Sequence, residues 1–276
     1  MISAKDVKRL RDMTGAGMMD CKRALTETGG DFEAAVDFLR KTGRKVSAKR
    51  SDREAKEGVI VTAVTEDGST GAIAEINCET DFVARNEEFQ TFANSIITLV
   101  LEKRPADINA LNTASLGAGR TVQNAVEEMT GKIGEKIEIR RFSLVHSGGV
   151  GKIVEYVHPG ARLGVLVRLS GNGNLETVGR DVAMQVAAMS PVATKRGEVD
   201  TSVQEKEMEI AGEIARNEGK PDNIVERIVT GKLERFFKDN VLVEQAFVKD
   251  ASITVKEMLK QNDSDVHGFE RFGLGG

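Results

Sequence analysis

One strand pattern occurs twice in this chain, each time at the same distance from a second strand, and that duplication limits the fold more than any single motif. Gly58-Val59-Ile60-Val61-Thr62-Ala63-Val64 matches Gly151-Lys152-Ile153-Val154-Glu155-Tyr156-Val157, and in each copy the second strand begins thirteen positions on, at Gly71 and at Gly164. A preserved offset of this kind marks a repeated structural unit. Each predicted hairpin leads into a stretch with apolar residues every three or four positions, Phe82 to about Leu101 in the first copy and Asn174 to about Met189 in the second. Lys136-Ile137-Glu138-Ile139-Arg140-Arg141-Phe142 closes the first half as a third strand, and Gly268-Phe269-Glu270-Arg271-Phe272 closes the second. The predicted class is α+β, with two duplicated antiparallel sheets, each carrying helices on one face.

Ahead of the repeat, Ser3-Ala4-Lys5-Asp6 reads as a capping box with Val7, Leu10 and Met13 following at helical spacing. A second helix places Met18, Cys21 and Leu25 on one face and turns Met19, Lys22 and Arg23 away from it. Asp31 caps a third, carrying Phe32, Val36 and Leu39. Three short helices in about forty residues bury little, so they suit a docking unit better than a catalytic domain. Arg40, Lys41, Arg44, Lys45, Lys49, Arg50 and Arg53 then crowd a linker. Two readings of it stand: a solvated linker helix, or a phosphate-contacting surface that would make this an RNA-associated protein. Late in the chain, Val203, Met208, Ile210, Ala211 and Ile214 form one apolar stripe and Ile224, Val225, Ile228, Val229, Phe236 and Phe237 another, with a turn at Asn217 to Asp222 between them. This predicts a protruding antiparallel coiled-coil hairpin. The expected divisions are 1–53 for the helical module and basic linker, 54–145 for the first sheet subdomain, and 146–276 for the second with the hairpin inserted at about 202–240.

With 276 residues there is length for one or two domains with real cores. A net charge of -4 argues against a general nucleic-acid binder. No Trp and a single Tyr156 leave few rings for base stacking, so no direct nucleic-acid contact is expected. Cys21 and Cys78 have no metal-like spacing, which suits a reducing interior. The opening Met-Ile-Ser-Ala-Lys-Asp has no apolar signal core and no run is long enough to span a bilayer, so the expected location is the cytoplasm, away from membranes.

Catalytic signatures are missing. Ser147-Gly148-Gly149-Val150-Gly151-Lys152 fails as a phosphate loop, because His146 stands where the first glycine belongs, Ile153 replaces a metal-binding hydroxyl, and a strand follows instead of a helix. Gly117-Ala118-Gly119-Arg120 reads as a loop. His146, His158 and His267 lie far apart and no nucleophile motif occurs, so neither an enzyme nor a cofactor or metal is expected.

Asn77-Cys78-Glu79-Thr80-Asp81-Phe82-Val83-Ala84-Arg85 carries the strongest functional hint. Thr80 or Asp81 can accept from the free N–H groups of a first helical turn, and the Asp81 charge suits the positive helix end. Phe82 in that turn either folds back on the preceding strand or presents its ring to another molecule.

These residues, together with Thr14-Gly15-Ala16-Gly17-Met18-Met19-Asp20-Cys21-Lys22, Lys132-Ile133-Gly134-Glu135 and His158-Pro159-Gly160-Ala161-Arg162, resemble bacterial elongation factor Ts, the nucleotide-exchange factor for elongation factor Tu. The resemblance runs from about Asp6 to about Phe272. It implies a fold with a three-helix module resembling ubiquitin-associated domains, two related sheet subdomains and a protruding coiled coil. It also implies that Thr80, Asp81, Phe82 and Val83 push into the GTPase near its magnesium and phosphate site, with Phe82 as the inserted ring. Further contacts are implied at Met19 and Lys22, at Ile133 and Gly134, at His158, and at Phe247 and Val248, where Lys249 follows in place of a common apolar residue. A homodimer of the factor within a heterotetramer with the GTPase is a further expectation, as is the lack of a C-terminal helical module beyond Gly276.

Overall fold

Ser3 caps the first helix through Asp6, as the sequence predicts, with both bonds of the capping box present. The computed structural model describes residues 2–117, 119–149 and 151–276. Ala118 and Val150, each inside a glycine run, lie outside them.

The chain divides into two compact units, one of Met1–Val61, Ala74–Phe142 and Gly273–Gly276, the other of Thr62–Ile73 and Ser143–Phe272. In the first unit, α1 (Ala4–Thr14), α2 (Met18–Glu27) and α3 (Phe32–Arg50) enclose Val7, Leu10, Cys21, Ala24, Leu25 and Ala35. Met18, expected on the inner face of α2, is instead exposed, because the turn at Gly15 to Gly17 starts the helix with that side chain outside the seam. Of the basic segment, Arg40 to Arg50 lie in the second half of α3, a 19-residue helix, and Arg53 follows its end.

β1 (Glu57–Val64) and β2 (Thr70–Cys78) form the first hairpin, and every residue of β2 is buried. The helix expected from Phe82 to about Leu101 is two helices. α4 (Asp81–Ala84) stops at Arg85, and Asn86 starts α5 (Glu87–Lys103) by accepting from the N–H groups of Glu88 and Phe89. Phe89, Phe92, Ala93, Ile96, Ile97 and Val100 bury the inner stripe of α5, each large side chain contributing about 1.5–3 kcal/mol. α6 (Ile108–Thr113), β3 (Ser115–Gly117) and β4 (Arg120–Thr121) come next, with Ser115 paired to Thr121 and Gly117 to Arg120, whereas the sequence predicts a loop there. α7 (Val122–Ile133), capped by Thr121, packs along α3. A Cβ at Gly131 of α7 would lie 2.5 Å from Gly43 Cα of α3, so only glycine permits this crossing. β5 (Glu138–His146) completes the sheet in the order β1-β2-β5, two residues later than its predicted start.

In the second unit, β6 (Lys152–Val157) and β7 (Leu163–Gly171) pair antiparallel with Lys152 opposite Leu169. Gly151, aligned with Gly58 by the repeat, does the same physical job. Both take positive φ, and a Cβ would lie 2.1 Å from Ile76 O at Gly58 and 2.0 Å from Leu169 O at Gly151. α8 (Leu175–Met189), capped by Asn174, lays Val178, Val182, Ala183 and Val186 on the sheet. α9 (Thr201–Asn217) and α10 (Asp222–Asn240) pack together as a helical hairpin. Its seam differs from the predicted stripe: Ala211, Gly212 and Ala215 of α9 and Val225 of α10 are buried, whereas Val203, Ile210 and Ile214 are exposed and Phe237 is buried in a separate cluster with Ala193, Val199 and Val241. Small residues let the two helices approach closely, which turns the larger ones outward. β8 (Ala246–Phe247), β9 (Asp250–Thr254) and α11 (Val255–Gln261) lead to β10 (Ser264–Gly273), which contains the predicted closing strand and gives the order β10-β7-β6. Helices and several antiparallel sheets in one chain make the class α+β.

Candidate functional site

β2 is buried to its last residue, and it runs into a four-residue helix held by side chains from elsewhere in the first unit. Thr80, in extended conformation, caps α4: its Oγ1 accepts from Val83 N at 3.4 Å. The same hydroxyl donates to Glu135 Oε1 at 2.7 Å, while Glu135 Oε2 accepts from Thr80 N at 3.0 Å and Glu79 N at 3.2 Å. Glu79 answers in the opposite direction, its Oε1 accepting from Lys136 N and from Arg50 Nη1, each at 2.7 Å. Burial pushes the Glu79 carboxyl up, but the Lys136 N–H, Arg50 and Arg53 outweigh it, and the net shift is downward.

Within this brace Ala84 points inward and Phe82 outward, with 82% of Phe82 exposed. Burying a phenylalanine is worth about 1.5–3 kcal/mol, and this ring forgoes that stabilisation while its backbone is held in place. Asp81 is not the cap. It pairs with Arg85 at 2.9 Å on the surface, a contact worth about 0–1 kcal/mol. Val83 is half-buried.

The other predicted positions fall in both units. Met19 and Lys22 are exposed on α2. Ile133 ends α7 and Gly134 is its left-handed cap, with φ of 79°, immediately before Glu135. The brace therefore ties Ile133 and Gly134 to the Phe82 segment. In the second unit, His158 is exposed at the β6–β7 turn, its Nδ1 2.9 Å from the Tyr156 hydroxyl. Phe247 departs from an outward contact: only 6% exposed, it lies in the core cluster with Val178, Leu242 and Val255. Val248 beside it is 44% exposed, its N–H bonded to Gln185 Oε1 at 2.8 Å.

The basic segment spends much of its charge internally. Arg40 pairs with Glu128 at 3.3 Å, Arg44 with Glu127 at 3.0 Å, and Arg50 and Arg53 both pair with Glu79. Lys41, Lys45 and Lys49 stay at least partly exposed. A cleft of about 300 Å³ between Met13, Val36, Leu39 and Gly131 has charged walls that pair among themselves, Arg120 with Glu128 at 2.6 Å and Arg23 with Asp20 at 2.8 Å. The three histidines bond separately, His146 with Thr70, His158 with Tyr156 and His267 with Ser170. Among the described residues no group of three or more His, Cys, Asp or Glu is arranged to hold a metal, and no helix is long and apolar enough to cross a membrane.

Sequence reasoning picks out Thr80 and Phe82 and misses the roles of Glu135 and Glu79. Neither carboxylate has a local partner pattern to betray it, since the bonds between the two connections join residues more than fifty positions apart and Arg50 lies 29 positions from Glu79.

Comparison with known proteins extends along nearly the whole chain. The sequence model of the family described as Elongation factor TS matches residues 79–276, a stretch that begins at Glu79 of the brace. Elongation factor Ts of Chloroherpeton thalassium is 48% identical over 285 aligned residues, covering 99% of this chain and 98% of that protein. Elongation factor Ts of Chlorobium phaeobacteroides is 46% identical, covering 99% of each chain. That of Cytophaga hutchinsonii is 46% identical over 260 residues, covering 94% of this chain and 92% of its own. A family match over more than half the chain, joined to identity of this level from end to end, places the sequence with translation elongation factors: the chain belongs to the elongation factor Ts family.

Proposed function

We infer that this chain binds elongation factor Tu carrying GDP and accelerates GDP release, so that GTP can reload, without chemistry of its own. The observation that carries the reading is Phe82, an exposed ring on a four-residue helix whose backbone is held by Glu135. In this reading the Thr80–Val83 turn enters the GTPase beside its nucleotide. Phe82 prises neighbouring elements apart, and Asp81 disturbs the magnesium shell so that the diphosphate loses its counter-charge.

A nanomolar nucleotide is held by roughly 12 kcal/mol, and each 1.4 kcal/mol taken from its release barrier gives about tenfold in rate. Linkage makes the effect reciprocal: the nucleotide weakens the factor's binding as much as the factor weakens the nucleotide's. Met19, Lys22, Ile133, Gly134, His158 and Val248 supply the remaining contacts with the GTPase, and the Phe247 ring supports Val248 from beneath. The finer architecture belongs to the same reading: a ubiquitin-associated-like module in α1 to α3, two duplicated sheet subdomains, and α9 with α10 as a coiled-coil hairpin. So do a cytoplasmic location and a homodimer of the factor inside a heterotetramer.

The test is release of fluorescent GDP from elongation factor Tu with the full chain and with Phe82→Ala. Stimulated release at least tenfold slower in the variant, with an unchanged melting curve, is the expected result. Equal rates refute the wedge.

A further inference from the structure

We propose that Glu135 is a positioning residue for nucleotide exchange, forming with Glu79 a reciprocal clamp that fixes the start of α4 and so aims Phe82; the inference rests on the reading of Phe82 as the inserted ring. A helix of four residues does not hold itself, because nucleating one turn fixes several residues for a single hydrogen bond. α4 has one internal cap, the Thr80 hydroxyl, and its first turn is otherwise held from the connection between α7 and β5. One carboxylate there, Glu135, takes three donors: Glu79 N, Thr80 N and Thr80 Oγ1. Bonds from backbone N–H to an ionised carboxylate are stronger than neutral ones.

The clamp is closed from the other side too. Glu79, which leads into α4, receives Lys136 N from the residue after Glu135. Two connections, β2 to α4 and α7 to β5, thus each grip the other's backbone. Arg50 at the end of α3 bonds Glu79 at 2.7 Å, and Arg53 adds its charge at 3.6 Å, which offsets the repulsion of two neighbouring carboxylates. Glu135 itself is held on firm ground. Gly134 N donates to Thr130 O at 2.9 Å and Ile137 N donates to Thr130 Oγ1 at 3.2 Å, closing the loop at both ends. A ring presented on a fixed backbone loses less freedom when it enters a partner than one on a frayed turn. In the reading above the ring enters after the first encounter, as the nucleotide is released, so the freedom saved lowers the barrier to release at saturating factor.

The experiment uses the full chain with Glu135→Ala, Glu135→Gln, Phe82→Ala and the double variant Glu135→Ala with Phe82→Ala. It reads amide hydrogen exchange and release of fluorescent GDP from elongation factor Tu at saturating factor. In Glu135→Ala the Glu79 and Thr80 amides should exchange at least tenfold faster while those of Phe89 to Val100 keep their protection. Saturated release should fall at least fivefold, and by less than twofold further when the change is made on top of Phe82→Ala. Unchanged exchange at Glu79 and Thr80, or a full fivefold loss persisting without the ring, overturns the proposal. Protection lost throughout α5 in both the Ala and Gln variants makes Glu135 a general folding residue and overturns it as well. Release slowed by Phe82→Ala but not by Glu135→Ala removes the clamp alone, whereas release untouched by Phe82→Ala removes the ring reading and the clamp's role with it.

Discussion

Glu135 and Thr80, fifty-five positions apart, are joined twice, by the Thr80 amide at 3.0 Å and by its hydroxyl at 2.7 Å. The hydroxyl has two duties, since it also accepts from Val83 N. Thr80→Val keeps the shape and removes both. Loss of an N-cap costs about 1 kcal/mol, and an unpaired acceptor on Glu135 adds a similar amount. Urea denaturation should show Thr80→Val less stable by about 2 kcal/mol and Thr80→Ser close to the parent. A valine variant as stable as the parent would mean that the bonds at Thr80 contribute nothing.

Glu75 is fully buried in β2 and faces Arg141 of β5 at 2.8 Å, while Gly275 N donates to its Oε1 at 3.1 Å. Removing one member of a buried ion pair leaves the other charge uncompensated, which costs about 3–5 kcal/mol. Arg141 keeps some solvent, so the lower end applies. Glu75→Gln should lose about 3 kcal/mol in chemical denaturation, and a loss below about 1 kcal/mol would show that water replaces the pair.

Legibility follows the range of the forces. Both sheet hairpins are readable because each strand is a short local apolar run, buried along much of its length, and Gly58 and Gly151 mark the same close approach in each copy. The start of α5 carries a signal that its surroundings mask: Asn86 before Glu87 and Glu88 is a cap with acids in its first turn, but the apolar spacing runs on smoothly across it. The crossing of α7 with α3 is hidden because Gly43 and Gly131 make its close approach, and glycine adds nothing to an apolar period. The reach of α3 depends on Arg40 and Arg44 finding Glu128 and Glu127 more than eighty positions away. At the candidate site the exposed ring and its cap are legible, whereas the carboxylates that hold them are not, for the same reason.

Gly131 offers a test in which two magnitudes compete. Alanine in a helix interior is better than glycine by about 1 kcal/mol, yet at Gly131 its Cβ would meet Gly43 Cα at 2.5 Å, and overpacking costs about 1–3 kcal/mol. At Gly231 in α10 nothing lies within 4 Å of that methyl. Gly231→Ala should therefore raise the melting temperature and Gly131→Ala lower it. Two changes of the same sign in differential scanning calorimetry would show that backbone propensity alone decides.

Asp67 in the β1–β2 turn accepts from Thr65 Oγ1 at 2.6 Å and Ser69 N at 2.9 Å, and those bonds hold its carboxyl down at about 2, against an ordinary 3.8. The folded value lies below the unfolded one. Its contribution is thus complete above 3.8 and is lost as pH falls from there towards 2. A carboxyl-carbon NMR titration should give a midpoint near 2 in the parent and one raised part of the way towards 3.8 once Thr65→Val and Ser69→Ala remove the hydroxyl donors and leave the Ser69 N–H in place. A normal midpoint in the parent would rule the turn bonds out.

Cys78 closes β2 one residue before the clamp, fully buried, with its Sγ donating to Thr80 O at 3.1 Å. Burial pushes its thiol up to about 12, and the Glu135 charge pushes in the same direction. Only the thiolate attacks alkylating reagents. At about pH 8 its fraction in the folded protein is about one in ten thousand by the tenfold-per-unit rule, against roughly a quarter for an unperturbed thiol. Iodoacetamide at that pH should leave Cys78 unmodified in the native chain and label it fully in urea, as read by peptide mass spectrometry. Glu135→Gln removes the charge and keeps the burial, so native labelling should stay slow in that variant. Rapid labelling of the native parent would mean that the segment joining β2 to α4 opens on the timescale of the reaction, and the rigid presentation of Phe82 would then have no support in this strand end.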